Sequence, residues 1–137
     1  MKRQILNNPS KYLKKKYKNN KEEILICDPD IFSDICEWEQ RKALRNDNNI
    51  FLIHYKINTD QPPTKIDVAE KKLQEIFYNH LRNSDVITRH KKGHYIQLLV
   101  SCNYMDLKSI IRRIKLKFKD CDFAEVINFV CDFEELT

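Results

Sequence analysis

A handful of residues near the middle of the chain have the types and spacing to recognise an anion or a nucleotide. Arg82 and Asp85 form an R-x-x-D pair, Arg89 follows, and 91-KKGHY-95 comes next. A carboxylate such as Asp85 accepts from the paired N–H groups of a guanine edge. Arginine forks onto a guanine or a phosphate. Lys91, Lys92 and His94 add positive or titratable groups around Gly93. The same residues have plain structural uses. Arg82 can complement the dipole in the last turn of a helix, and Asp85 suits a helix-to-strand turn. His90 and His94 flank the turn and read first as an exposed cross-strand pair, with a metal pair as the alternative.

Other chemistry is poorly supplied. The 137 residues include one glycine, so a Walker-type phosphate loop and a Rossmann turn are both excluded. No G-x-S-x-G elbow occurs. The five cysteines, at 27, 36, 102, 121 and 131, contain no C-x-x-C pair. Reduced, mostly buried thiols are expected, with no metal and no cofactor. Cys102 has no acid–base partner recognisable in sequence.

The elements that must position these residues follow from periodicity. Ile24–Cys27 is a short apolar run with the look of an edge strand. Asp28-Pro29 opens a helix whose expected inner face is Ile31, Phe32, Ile35, Trp38 and the stem of Lys42, ending near Arg45. Residues 50–57 read as a central strand. Residues 65–81 read as a helix with Ile66, Ala69, Leu73, Ile76, Phe77 and Leu81 on one face. Strands at 84–90 and 94–101 follow, joined by the three-residue turn Lys91-Lys92-Gly93 with glycine in the left-handed conformation. Asn103 caps a helix over 104–119, and a last strand covers roughly 123–133. From residue 50 the order is β-α-β-β-α-β. The expected class is therefore α+β, ferredoxin-like or nucleotide-cyclase palm, with a four- to five-stranded mainly antiparallel sheet. That plan carries many functions and chooses none.

Two stretches narrow the choice. Residues 39-EQRKALRNDNNIFLIHYKI-57 give a charged helix end, a polar turn and a strand, and 81-LRNSDVITRHKKGHYIQLLV-100 gives L-R-x-x-D-x-x-x-R, a hairpin and an apolar strand. Together they resemble the GGDEF family of diguanylate cyclases, over about Asp28 to Phe133. The signature itself is altered: 91-KKGHY-95 stands where the family has G-G-D/E-E-F, and only Tyr95 is conservative. The family's reaction needs metal ions on a triphosphate, and magnesium takes oxygen ligands. Ile53-His54-Tyr55-Lys56-Ile57 holds no acid, Asp60 being the first, and Gly93 occupies the hairpin acid's place. The resemblance thus implies a degenerate domain without cyclase activity. It also implies that Arg82 and Asp85, with Arg89, bind a ligand, because R-x-x-D at this spacing is the family's inhibitory cyclic di-GMP site.

Charge separates the chain into two parts. Residues 1–21 carry eight basic side chains and no acid, whereas the remainder has 17 basic against 20 acidic residues. We read 1–21 as a basic arm or helix and 22–137 as the GGDEF-like domain. No run of 18 apolar residues exists, so no membrane span is expected, and we expect a cytoplasmic bacterial regulator. Its expected partner is another protein or a second copy, with cyclic di-GMP or another nucleotide as ligand. The alternative is a nucleic-acid-binding module using Lys14, Lys15, Lys16 and Lys18 of the arm, with Tyr55 and Tyr95 as stacking residues.

Overall fold

The computed structural model describes residues 26–60, 62–82, 85–121 and 127–136. The basic arm, the first two residues of the Ile24–Cys27 run and residues 123–126 of the expected last strand lie outside the described residues. In chain order the elements are β1 (Ile26–Cys27), α1 (Pro29–Asn46), β2 (Ile50–Asn58), α2 (Thr64–His80), β3 (Val86–Lys91), β4 (His94–Val100), α3 (Tyr104–Lys119) and β5 (Asn128–Glu135). The five strands form one sheet in the order β1-β3-β4-β2-β5. β1 is parallel to β3, and the other three pairings are antiparallel. The α+β palm expected from the sequence is the fold observed.

Local chemistry explains the helix starts. The Asp28 carboxylate accepts from the Asp30 amide at 2.8 Å, and Pro29 needs no amide partner in the first turn. The Asn103 side chain accepts from the Asp106 amide at 2.8 Å. α1 ends at Asp47 in the left-handed conformation, whose amide reaches Ala43.

Alternation along the strands splits the core in two. Phe51, Ile53, Tyr55 and Ile57 of β2 pack with Ala69, Leu73 and Phe77 of α2 and with Leu107, Ile114 and Phe118 of α3. Ile50 of β2, Val86 of β3 and Leu98 of β4 point the other way, against Phe32, Ile35 and Ala43 of α1. So α2 and α3 cover one face, and α1 covers the end of the other face furthest from the β3–β4 turn. Among the described residues, no helix covers the rest of that second face. The inner stripe of α1 differs from expectation. Ala43 is buried, while Lys42 is outside and pairs with Glu39 at 3.5 Å. Trp38 is half-buried and belongs to neither cluster. A small side chain at 43 lets the helix approach the sheet, which turns Lys42 to solvent.

The hairpin is tighter than expected. Lys91 is still in strand, and the turn is Lys92-Gly93, with Gly93 at φ 77°. The extra residue is absorbed as a bulge between Arg89 and Lys91. β5 is shifted towards the C-terminus and runs to Glu135, pairing along β2 from Asn58 to Phe51.

Candidate functional site

Helix α2 holds the hairpin through a polar row. Glu70 is buried at 6% exposure, on the helix face that otherwise carries Ile66, Ala69 and Leu73. Its carboxylate accepts from Arg89 Nε at 2.8 Å and Nη2 at 3.1 Å, from the Gly93 amide at 2.9 Å and from the Tyr95 hydroxyl at 3.0 Å. Gln74 donates to the Tyr95 hydroxyl at 2.8 Å, and Lys92 pairs with Asp67 at 3.1 Å. Residues 67, 70 and 74 share one side of the helix, so strand, turn and strand are all tied to it. Burial works against ionisation of Glu70. The bonds from Arg89, Gly93 and Tyr95 outweigh it and hold the carboxyl below its usual value of 4.5. The same pairing raises Arg89.

At the turn itself there is no room for a side chain. A Cβ on Gly93 would meet the Ile57 carbonyl oxygen at 2.8 Å and the Ile66 side chain at 3.5 Å. The Gly93 carbonyl accepts from the Ile57 amide at 2.8 Å, so the two backbones are locked together.

Arg82 and Asp85 are brought together, and they bind each other. Arg82 donates from Nε at 3.2 Å and Nη2 at 3.0 Å to one carboxylate oxygen, and its amide donates to the other at 2.9 Å. The Asp85 side chain is 1% exposed and that of Arg82 is 43% exposed. The pairing raises the Arg82 pKa. Arg82 Nη1 makes no hydrogen bond among the described residues. Asp85 therefore acts as the holder, and Arg82 is the member that faces solvent. Replacing Asp85 by asparagine keeps the shape but not the charge. It should cost about 1–3 kcal/mol, measurable as a lower urea midpoint with an unchanged m-value.

The remaining sequence candidates separate. Arg89 shares the helix-covered side with Ile87 and is committed to Glu70. His90, Lys91 and His94 line a cavity of about 520 Å³ on the opposite, open side of the sheet. Tyr55 and Tyr95 are each 1% exposed and are core residues, so neither can stack on a base. Tyr55 donates to Gln97 inside the core. Cys27, Cys36, Cys102 and Cys131 are free thiols; burial pushes Cys27, Cys36 and Cys131 up to about 12, which leaves them poor nucleophiles. Among the described residues, no group of three or more His, Cys, Asp or Glu side chains could hold a metal, and no helix is long and apolar enough to cross a membrane.

Sequence reasoning missed Glu70, the centre of the hairpin clamp. Its signal was present: a charge four residues after Ile66 and three before Leu73 sits within the apolar stripe. Such a charge demands a partner, and Arg89 on an inward-facing strand position supplies it.

With this geometry in hand, comparison with known proteins decides the architecture. Among solved structures, the chain is similar to a DGC protein from Thermotoga maritima, with a TM-score of 0.71 over 85% of this chain and 86% of that one. The fold is GGDEF-like. Sequence identity to that neighbour is 13%, so the likeness is one of fold. No family model matches the sequence, and no curated protein does.

Proposed function

We propose that this chain is a non-catalytic GGDEF-like signalling module that works by binding, in a bacterial regulatory setting. The observation that carries the reading is the closed turn. The position where the resembling family carries its hairpin acid is a left-handed glycine packed against the Ile57 carbonyl. No carboxylate can be seated there without opening the backbone contact between Ile57 and Gly93. Metal-assisted phosphoryl transfer then lacks one of its oxygen ligands.

Binding through Arg82 fits the same geometry. Asp85 fixes the guanidinium, and Nη1, which has no hydrogen bond among the described residues, is left for an incoming oxygen, whether of a cyclic dinucleotide or of a protein partner. Asp85 itself is bonded on both oxygens and buried, so it orients rather than contacts the ligand. A protein partner, a second copy included, also has a surface to use. Leu116 and Phe133 are exposed beside Lys108, Arg112, Lys115 and Lys119 along α3 and β5, the last strand of the described sheet. The nucleic-acid alternative has lost its two stacking tyrosines to the core and would rest on the basic arm alone.

Calorimetric titration with cyclic di-GMP tests the ligand reading. Saturable binding is expected, and Arg82→Ala should weaken it by about tenfold or more, the loss of a charge-assisted contact. Equal affinity in the two proteins would remove Arg82 from the site. No binding at all would leave the protein-partner reading, tested by whether Leu116→Lys with Phe133→Lys abolishes self-association in sedimentation equilibrium.

A further inference from the structure

The open half of the second sheet face contains a group of basic side chains that make no ion pair among the described residues. Strand alternation puts Lys56 of β2 directly opposite His94 of β4, and His94 is in turn opposite Lys91 of β3. The bulge after Arg89 adds His90 to the same rim. Ile96 and Val130 form an apolar floor beside them. None of these four basic groups makes an ion pair among the described residues, in contrast to Arg82, Arg89 and Lys92. Two lysines and two histidines on paired strands, around one concavity, form a basic centre with no ion-pair partner among the described residues.

The acids in the cavity lie further along the sheet. Asp132 is opposite His54, and Glu134 reaches His54 at 3.4 Å, whereas the β5 residue opposite Lys56 is Val130. The negative end thus points towards α1 and the positive end towards the turn. The cavity, about 520 Å³, is of the size that takes a small organic ligand.

We propose that the turn end of this open face is a binding site for a small phosphate monoester, held by Lys56, Lys91, His90 and His94 with its organic part on Ile96 and Val130. The phosphate supplies the charge the four groups lack, and its three oxygens match lysine and imidazolium donors on adjacent strands. The site lies on the sheet face opposite Glu70 and Arg89 and does not depend on Arg82.

His94 reports on the site. Its pKa is lowered by partial burial and by Lys91, Lys56 and His90 around it. Asp132 and Glu134 of β5, with His54 of β2, are the other titratable groups facing the cavity. A bound phosphate offsets the neighbouring positive charge, so the His94 pKa must rise on binding.

The test is a titration of the full chain with phenyl phosphate at constant ionic strength, following the histidine ring resonances by NMR across pH. We expect saturable shifts at His90 and His94 and a higher His94 pKa in the saturated protein. The double variant Lys56→Gln, Lys91→Gln should bind about tenfold more weakly or worse. Arg82→Ala should bind as the unsubstituted chain does, which separates this site from the one proposed for cyclic di-GMP. Either lysine can be exchanged without unfolding risk, because both are exposed and unpaired. The proposal is overturned if the shifts never saturate or if chloride at equal ionic strength reproduces them. It is equally overturned if the double variant binds unchanged, or if Arg82→Ala, with the histidine resonances of the folded chain, no longer binds phenyl phosphate.

Discussion

Replacing Glu70 by alanine should be the most damaging polar substitution in the domain. The buried Gly93 amide and the Tyr95 hydroxyl lose their common acceptor, at about 1–3 kcal/mol each. Arg89 is half-exposed and can rehydrate, so it adds little. A total loss of about 2–6 kcal/mol follows, a large share of the stability of one domain. Urea denaturation checks it, and Glu70→Gln should lose distinctly less because the amide oxygen still accepts. The pH dependence has a definite sign. Glu70 is held below 4.5 in the folded state, so its contribution is fully present above that value. It is lost as pH falls through the lowered folded-state pKa. Glu70→Gln should therefore flatten the acid limb of the stability profile. An acid limb identical to that of the unsubstituted protein would show that the clamp is not ionic.

The second large effect is expected from restoring an acid to the turn. Gly93→Glu places an L-residue at φ 77° and a Cβ 2.8 Å from the Ile57 carbonyl oxygen. The conformation costs about 1–3 kcal/mol, and displacing strand backbone costs a similar amount. Asparagine tolerates the dihedral but not the contact, so Gly93→Asn should recover only part of the loss. Thermal unfolding of the three proteins gives the order Gly above Asn above Glu. A Gly93→Glu protein as stable as the parent would mean that the turn opens easily, and the closed-site argument would fail with it.

Much of the fold was legible because its determinants are local. Asp28-Pro29 and Asn103 mark helix starts by chemistry that acts within three residues, and Gly93 marks the turn by its dihedral. Periods of two and of 3.6 gave the order of strands and helices from residue 50 onward. What depends on distant partners was not legible. The parallel pairing of β1 with β3 joins Ile26 to Ile87, and no local pattern announces it. The face taken by α1 is decided by Ala43, whose small size matters only once the sheet is beneath it. At the site, what the sequence does not announce is how the side chains are attached to one another. Arg89 read as a ligand contact and is held by Glu70; Asp85 read as a ligand acceptor and is filled by Arg82. The split of Arg89 and His94 onto opposite sheet faces follows from strand alternation, yet the bulge at His90 shifts that alternation for Lys91. A two-residue turn with a bulge and a three-residue turn share one sequence, and the choice rests on the clamp from α2.

The most direct test of the central claim is turnover. The purified chain is incubated with GTP and magnesium, and released pyrophosphate and cyclic dinucleotide are measured against heat-denatured protein. The account predicts no product above that control. Sustained product formation that Asp60→Asn abolishes would contradict it, because a working metal site would then exist beside a turn that the geometry describes as closed.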